Sequence, residues 1–282
     1  MKIRVGFELA YEFVAPTPMV LMLNVHPSRA SDLIKPDQLR SMPILPMTRY
    51  ADAFGNICTR VLAPKGELQI SADGVVADTG LADAVDLVAP QHEVADLPHD
   101  SLVFLLGSRY CETDQLMNEA WSLFGKTAPG WPRVQAICDF VASHIRFGYE
   151  HARATRSAVE VARERRGVCR DFAHLAITFC RCMNIPARYA TGYLGDIGVA
   201  PDPDPMDFSA WFEVYLGARW YTFDARHNTP RIGRVLMARG RDAADVAIST
   251  TFGRNTLKRF IVHTDEVIEQ PVTFELRDRQ AA

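Results

Sequence analysis

Two kinds of periodicity divide the chain. From Gly6 to Phe13 the apolar residues Phe7, Leu9, Tyr11 and Phe13 recur at every second position, the spacing of a half-buried strand. Met19 to His26 (MVLMLNVH) reads as a second strand, and Ile57 to Leu62 as another, led in by a hairpin turn at Phe54-Gly55-Asn56. Lys65-Gly66 precedes an alternating run from Glu67 to Ser71, and Asp73-Gly74 reads as a turn before Val75 and Val76. Short strands punctuated by Gly, Pro and Asp predict an antiparallel β-sandwich-like domain over residues 1–105. It carries no recognisable chemistry, so its expected role is packing or framing a substrate.

The pattern changes near Pro98. The stretch SLVFLLGSRYCETD reads as a crossing segment. Thr113 to Phe124 has helical spacing, with Leu116, Ala120 and Leu123 on one side, and Pro129, Gly130 and Pro132 interrupt it. Val134, Ile137, Phe140, Val141 and Ile145 form the stripe of a second helix, Ser157 to Arg165 a third, and a fourth starts close to Cys169. After residue 185 the chain alternates again, in ARYATGYLG, DFSAWFEVYLG and RWYTFDARH, and Leu257 to Leu276 can supply a final strand or two. The fold class is therefore α+β, with residues 106–282 forming a second domain of helices followed by an antiparallel sheet.

Composition narrows the function. The 282 residues are 48% hydrophobic and 23% charged, the mix of a folded protein, and the formal charge of -3 supplies no global field toward nucleic acid or an anionic membrane. The arginine run at Arg163, Arg165 and Arg166 reads as a solvated helix face. The opening MKIRVGFELAYEF lacks the uninterrupted apolar stretch of a secretory signal, and no window has the length of a membrane span, so the expected location is cytoplasmic. No phosphate loop, dinucleotide fingerprint or metal cluster stands out, and no cofactor is expected. Asp202, Asp204 and Asp207 lie in VAPDPDPMD, where three prolines interleave them, and the glycine and terminal Glu of a calcium loop are missing. A stiff, solvated loop that frames a cleft is the expectation there.

The six cysteines are Cys58, Cys111, Cys138, Cys169, Cys180 and Cys182. Their irregular spacing does not suit zinc. Cys180 and Cys182 point about 200° apart around a helix, which argues against a joint ligand pair. Five of the six read as buried small hydrophobes. Cys169 differs, because Gly167 stands just before it and the apolar run Phe172, Leu175, Ala176, Phe179 follows. A thiol at a helix start faces unpaired backbone N–H groups, which favour the thiolate and can hold an oxyanion.

The run G-V-C-R-D-F at 167–172, continued by Cys180-Arg181 and by Ile185-Pro186-Ala187-Arg188-Tyr189, resembles the nucleophile helix of the transglutaminase-like superfamily. DFSAWFEVYLGARWYTFDAR resembles the strand pair that follows it, with Gly217-Ala218 as the hairpin turn. The resemblance covers roughly residues 100–256. It implies a papain-like arrangement with Cys169 as nucleophile and Asp224 as the carboxylate that orients the base. Trp211 matches the aromatic two positions past that base, and Trp211 and Arg170 become candidates for the cleft wall. Arg170 and Asp171 sit on the first helical turn, where Asp171 suits a cap carboxylate and Arg170 can pair with it or with a nearby loop.

The position that the resemblance gives to the catalytic histidine is Ser209, and serine cannot accept a proton as imidazole does. Three readings stay open. His227, three residues past Asp224, serves as a substitute base; it is preferred to His174, which lies about 500° around and about 7.5 Å along the helix from Cys169 and reads as an ordinary histidine. Alternatively the site turns over slowly without a base, or it is a pocket that binds a peptide or protein. As an enzyme the chain would be a cysteine-dependent amide or peptide hydrolase working through a thioester. With an amine as acceptor it would be a protein transamidase.

Overall fold

The computed structural model describes residues 1–268. The alternating first segment forms β1 (Lys2–Phe13), followed by β2 (Thr17–Leu21), β3 (Leu33–Lys35), β4 (Arg40–Met42), β5 (Thr48–Ala51), β6 (Ile57–Ala63) and β7 (Gly66–Ala77). Then come α1 (Thr113–Phe124), α2 (Trp131–His144), β8 (Arg146–Phe147), α3 (Ala158–Glu164), β9 (Arg166–Gly167) and α4 (Cys169–Cys182). The chain continues with β10 (Ala187–Tyr193), β11 (Ser209–Leu216), β12 (Arg219–Phe223), β13 (Val235–Gly240), β14 (Ser249–Thr251) and β15 (Asn255–Glu266). This is the α+β arrangement expected, β-rich first, then helices and an antiparallel sheet.

Two sheets face each other in the β-rich part, in the orders β15-β1-β7-β3, with β4 also on β7, and β14-β2-β6-β5. Phe7, Leu9, Met19, Leu21, Leu68 and Ile70 fill the space between them. In space this unit draws on both ends of the chain, because β15 lies along β1 from Ile3↔Glu266 to Phe13↔Asn255 and β14 pairs with β2. The expected final strand is thus β15; residues 269–276 of that stretch lie outside the described residues.

Two expectations here need correcting. Asp73-Gly74 is no turn, since β7 pairs with β1 without a break from Phe13↔Gly66 to Lys2↔Ala77. Asp73 instead takes ion pairs from Arg4 at 2.8 Å and Lys35 at 2.7 Å. The strand expected over Met19 to His26 ends at Leu21. Beyond it the backbone turns to other partners, Met22 N–H to the Ile248 carbonyl at 3.1 Å and His26 N–H to the Leu236 carbonyl at 2.8 Å. Leu23 and Val25 stay buried all the same.

The third sheet, ordered β12-β11-β10-β13, carries the helices. Phe172, Leu175 and Phe179 of α4 pack with Phe212 and Val214 of β11 in a second core. The helices start where their sequences say. Pro132 occupies the first turn of α2, where a missing N–H costs nothing, and Ser157 caps α3 with its N–H donating to Glu160 at 2.9 Å. On α1 the buried stripe is Leu116, Ala120 and Phe124; Leu123 is exposed. The crossing segment is a 3₁₀ helix, His99–Leu105. Gly217 and Ala218 both have positive φ, 53° and 65°, as a two-residue hairpin between twisted strands requires.

Candidate active site

The N-terminus of α4 is held by Asp171. Its carboxylate accepts the Val168 N–H at 2.9 Å and an Arg156 N–H at 2.9 Å, and both side chains are buried. Gly167 makes this possible, because a Cβ there would stand 2.5 Å from Asp171 Oδ2. Cys169, the first residue of α4, is half-buried in a cleft whose walls include Tyr149, Asp207, Ser209, Arg226 and His227. The loop expected to frame a cleft does so, with Asp202, Asp204 and Asp207 along it.

Asp224 follows β12 directly and is 6% exposed. Its Oδ1 accepts the N–H groups of Arg226 at 2.9 Å and His227 at 3.1 Å, which closes a tight turn. That turn swings the His227 ring back so that Nδ1 meets Oδ2 at 2.8 Å, and Arg234 donates to the same oxygen at 2.9 Å. Burial pushes the Asp224 carboxyl up, but the His227 hydrogen bond and the Arg234 charge outweigh it and hold the group well below the usual carboxylate range. With Nδ1 engaged by the carboxylate, the other ring nitrogen of His227 is the one left for chemistry.

Cys169 departs from the expectation for a helix start. Burial pushes its thiol up to about 11, and the Asp207 charge adds to this. Arg226 and a hydrogen bond from the Ala210 N–H pull the other way without prevailing. Desolvation outweighs both, so the thiol is raised rather than lowered at this helix start. Among the described residues no imidazole hydrogen-bonds it. Ser209 opens β11 beside it, and its hydroxyl is buried without a partner.

The other candidates go elsewhere. Arg170 donates to the carbonyls of Ala154, at 2.9 Å, and Arg153, and to Asp171, so it anchors the loop ahead of α3. Trp211 is buried and lies under the Arg234 guanidinium, 5.1 Å from its ring centre, on the wall of a different cavity. His174 is fully buried, stacks on Tyr110 and accepts the Ala243 N–H at 3.1 Å; it is a core histidine. The remaining five cysteines are buried, as expected. Among the described residues no group of three or more His, Cys, Asp or Glu side chains could hold a metal, and no helix is long and apolar enough to cross a membrane. Sequence reasoning missed Arg234, Arg226 and Tyr149. Only Arg226, between Asp224 and His227, had a positional signal.

A helix-start cysteine packed on an antiparallel sheet, with a carboxylate at the end of the neighbouring hairpin strand, is the layout that the sequence resemblance implied. The family model for the transglutaminase-like superfamily matches residues 122–225, the span from the end of α1 through Asp224. The chain belongs to the transglutaminase-like superfamily. An uncharacterized protein of Mycobacterium tuberculosis is 30% identical over 222 residues, 69% of this chain and 68% of the relative. An uncharacterized protein of Mycobacterium leprae is 25% identical over 219 residues, 75% of this chain and 77% of the relative. A crystal structure from Cytophaga hutchinsonii, provisionally named a cysteine protease, superposes with a TM-score of 0.82 at 29% identity, covering 98% of this chain and 94% of that one. The β-rich part is therefore shared with that structure along with the transglutaminase-like core.

Proposed function

We propose that the protein is a cysteine-dependent amide or peptide hydrolase in which His227 replaces the histidine absent at position 209. The observation that carries this reading is the His227–Asp224 pair, 2.8 Å from Nδ1 to Oδ2, whose imidazole lines the same cleft as Cys169. In the reaction His227 Nε2 takes the Cys169 proton as sulfur bonds to the substrate carbonyl carbon. The carbonyl electron pair moves to oxygen, where N–H groups at the start of α4 stabilise it. The pair then returns, the C–N bond breaks, and the imidazolium gives its proton to the leaving amine. Water, deprotonated by His227, attacks the thioester and releases the acid, and the thiolate takes the proton back. Asp224 keeps the ring in one tautomer throughout. A neutral resting thiol fits general-base delivery of this kind rather than a preformed ion pair, and the substrate would close the gap between thiol and imidazole.

A peptide library digested by the purified chain, with new carboxyl termini read by mass spectrometry, tests this. Cys169→Ala is expected to abolish cleavage and His227→Ala to lower it by about 10²–10⁴-fold. Cleavage at the natural rate in His227→Ala would remove His227 from the mechanism.

A second reading is favoured by the thiol at about 11 with no imidazole hydrogen-bonded to it. In this reading the cleft binds a peptide or protein segment without cleaving it. The natural chain would then show no turnover, and Ser209→His would create it.

A further inference from the structure

Behind Asp224, away from Cys169, the sheet carries a cavity of about 310 Å³ with Arg231, Arg234 and Arg239 in its wall. We propose that this cavity is a binding site for a small oxyanion, a carboxylate or a phosphate, held between those three guanidinium groups.

The strand register builds the site. Trp211 on β11 pairs with Ala190 on β10, and Ala190 pairs with Arg239 on β13, so the three stand in one row across the sheet and face the same side. Phe212 and Val214, one residue along on either side of the next row, face α4 instead. The row is therefore on the face away from the helices. Arg231 and Arg234 reach it from the loop that leads into β13.

The acids that line the cavity are already engaged. Asp83 accepts Arg234 Nε at 2.9 Å and the Arg231 backbone N–H at 2.9 Å. Asp78 pairs with Arg29 at 3.3 Å, and Glu213 pairs with Arg188. The cations are not fully used. Arg231 and Arg234 are 7% and 8% exposed, yet Arg231 Nε and Arg234 Nη1 have no hydrogen-bond partner. The Arg239 side chain has no ion pair or hydrogen bond among the described residues. Buried, unpaired guanidinium N–H groups are expensive to leave unsatisfied, and a planar or tetrahedral oxyanion matches their geometry. The positive potential is felt nearby: burial, then Arg239 and Arg188, push His26 down to about 4. The site needs no catalysis at Cys169. It sits one side chain away from Asp224, since Arg234 lines it and also holds that carboxylate.

Isothermal titration of the full chain at fixed ionic strength, with inorganic phosphate and with succinate as probes, decides the matter. Saturable one-to-one binding of either probe is expected, weakened about tenfold or more in Arg239→Gln and partly recovered in Arg239→Lys. Phosphate alone binding points to a phosphoryl ligand, and succinate alone to a carboxylate; either supports the site. No saturable heat with both probes, or equal affinity in Arg239→Gln and the natural chain, overturns it. The Arg239 side chain has no partner to lose, so both variants are expected to unfold at the natural temperature. If the Gln variant does not fold, binding by the Lys variant at the natural affinity overturns the proposal and weakened binding supports it.

Discussion

His227 Nδ1 meets Asp224 Oδ2 at 2.8 Å, across a turn of only three residues, while Arg234 reaches the same oxygen at 2.9 Å. The carboxylate therefore serves two partners, the His227 ring and the buried Arg234 guanidinium. Asp224→Asn keeps the shape but leaves Arg234 with only the Asp83 carboxylate, in a setting where breaking a buried pair costs about 3–5 kcal/mol. His227→Ala removes a part-exposed ring and a single hydrogen bond, with an expected cost of about 1 kcal/mol. Urea denaturation near neutral pH checks both. The folded-state pKa of Asp224 is depressed, so its contribution is present above the ordinary carboxylate range and is lost as pH falls below it. Equal losses in the two variants would contradict the Arg234 pairing.

Alkylation of Cys169 reports on its burial. With the thiol at about 11, the iodoacetamide rate should rise about tenfold per pH unit from pH 7 toward that value, without levelling off near 9. Asp207→Asn removes a charge that raises the thiol, so at pH 8 the variant should react faster than the natural chain. A rate that levels off below pH 9 would show that the helix terminus wins over desolvation after all.

What could be read in the chain and what could not follows from how local each signal is. α4 was legible because Gly167, a cap carboxylate at Asp171 and a four-residue apolar stripe all lie within one stretch. The β11–β12 hairpin was legible from Gly217-Ala218 and the alternation around it. Asp73-Gly74 misled because a turn dipeptide inside a strand is decided by the partner strand, here β1, and not by its own residues. The thiol misled for a related reason: its helix-start position is local, whereas its desolvation depends on the 202–209 loop folding over it. Arg234 was invisible, since its tie to Asp224 depends on the path of the loop between β12 and β13. His227 was legible as a candidate only through its distance from Asp224 in sequence.

His26 should make the fold pH-sensitive. It is buried, its pKa is lowered to about 4, and its Nδ1 accepts the Ser28 N–H at 3.1 Å. Between about 6.5 and 4 the unfolded chain carries a proton that the native state refuses, so unfolding takes up protons and stability falls as pH falls. The slope is up to about 1.4 kcal/mol per pH unit for one such group. His174, pushed well below its ordinary value by burial, acts in the same direction. His26→Asn keeps an acceptor for the Ser28 N–H and removes the titration. Its urea midpoint should fall less steeply than that of the natural chain from pH 6.5 to 4. Parallel curves would mean that His26 protonates freely in the native state.

Gly167 is the cheapest place to disturb the active-site helix without touching a reactive group. Its φ is not in the left-handed region, so backbone strain is not the issue; space is. A Cβ there would lie 2.5 Å from Asp171 Oδ2 and 2.6 Å from Asp171 Cβ, both far inside van der Waals contact. Asp171 cannot swing aside at low cost, because its carboxylate holds the Val168 N–H and Arg156 together and is fully buried. Gly167→Ala must therefore shift either the carboxylate, which breaks the cap and the ion pair, or the backbone that sets Cys169 at the first turn. Overpacking of this kind costs about 1–3 kcal/mol. The expected result is a lower urea midpoint together with faster Cys169 alkylation, as the displaced helix start lets water reach the thiol. A destabilised variant with unchanged alkylation would place the adjustment in α3 and Arg156 instead, and a variant as stable as the natural chain would mean that Asp171 does not cap α4.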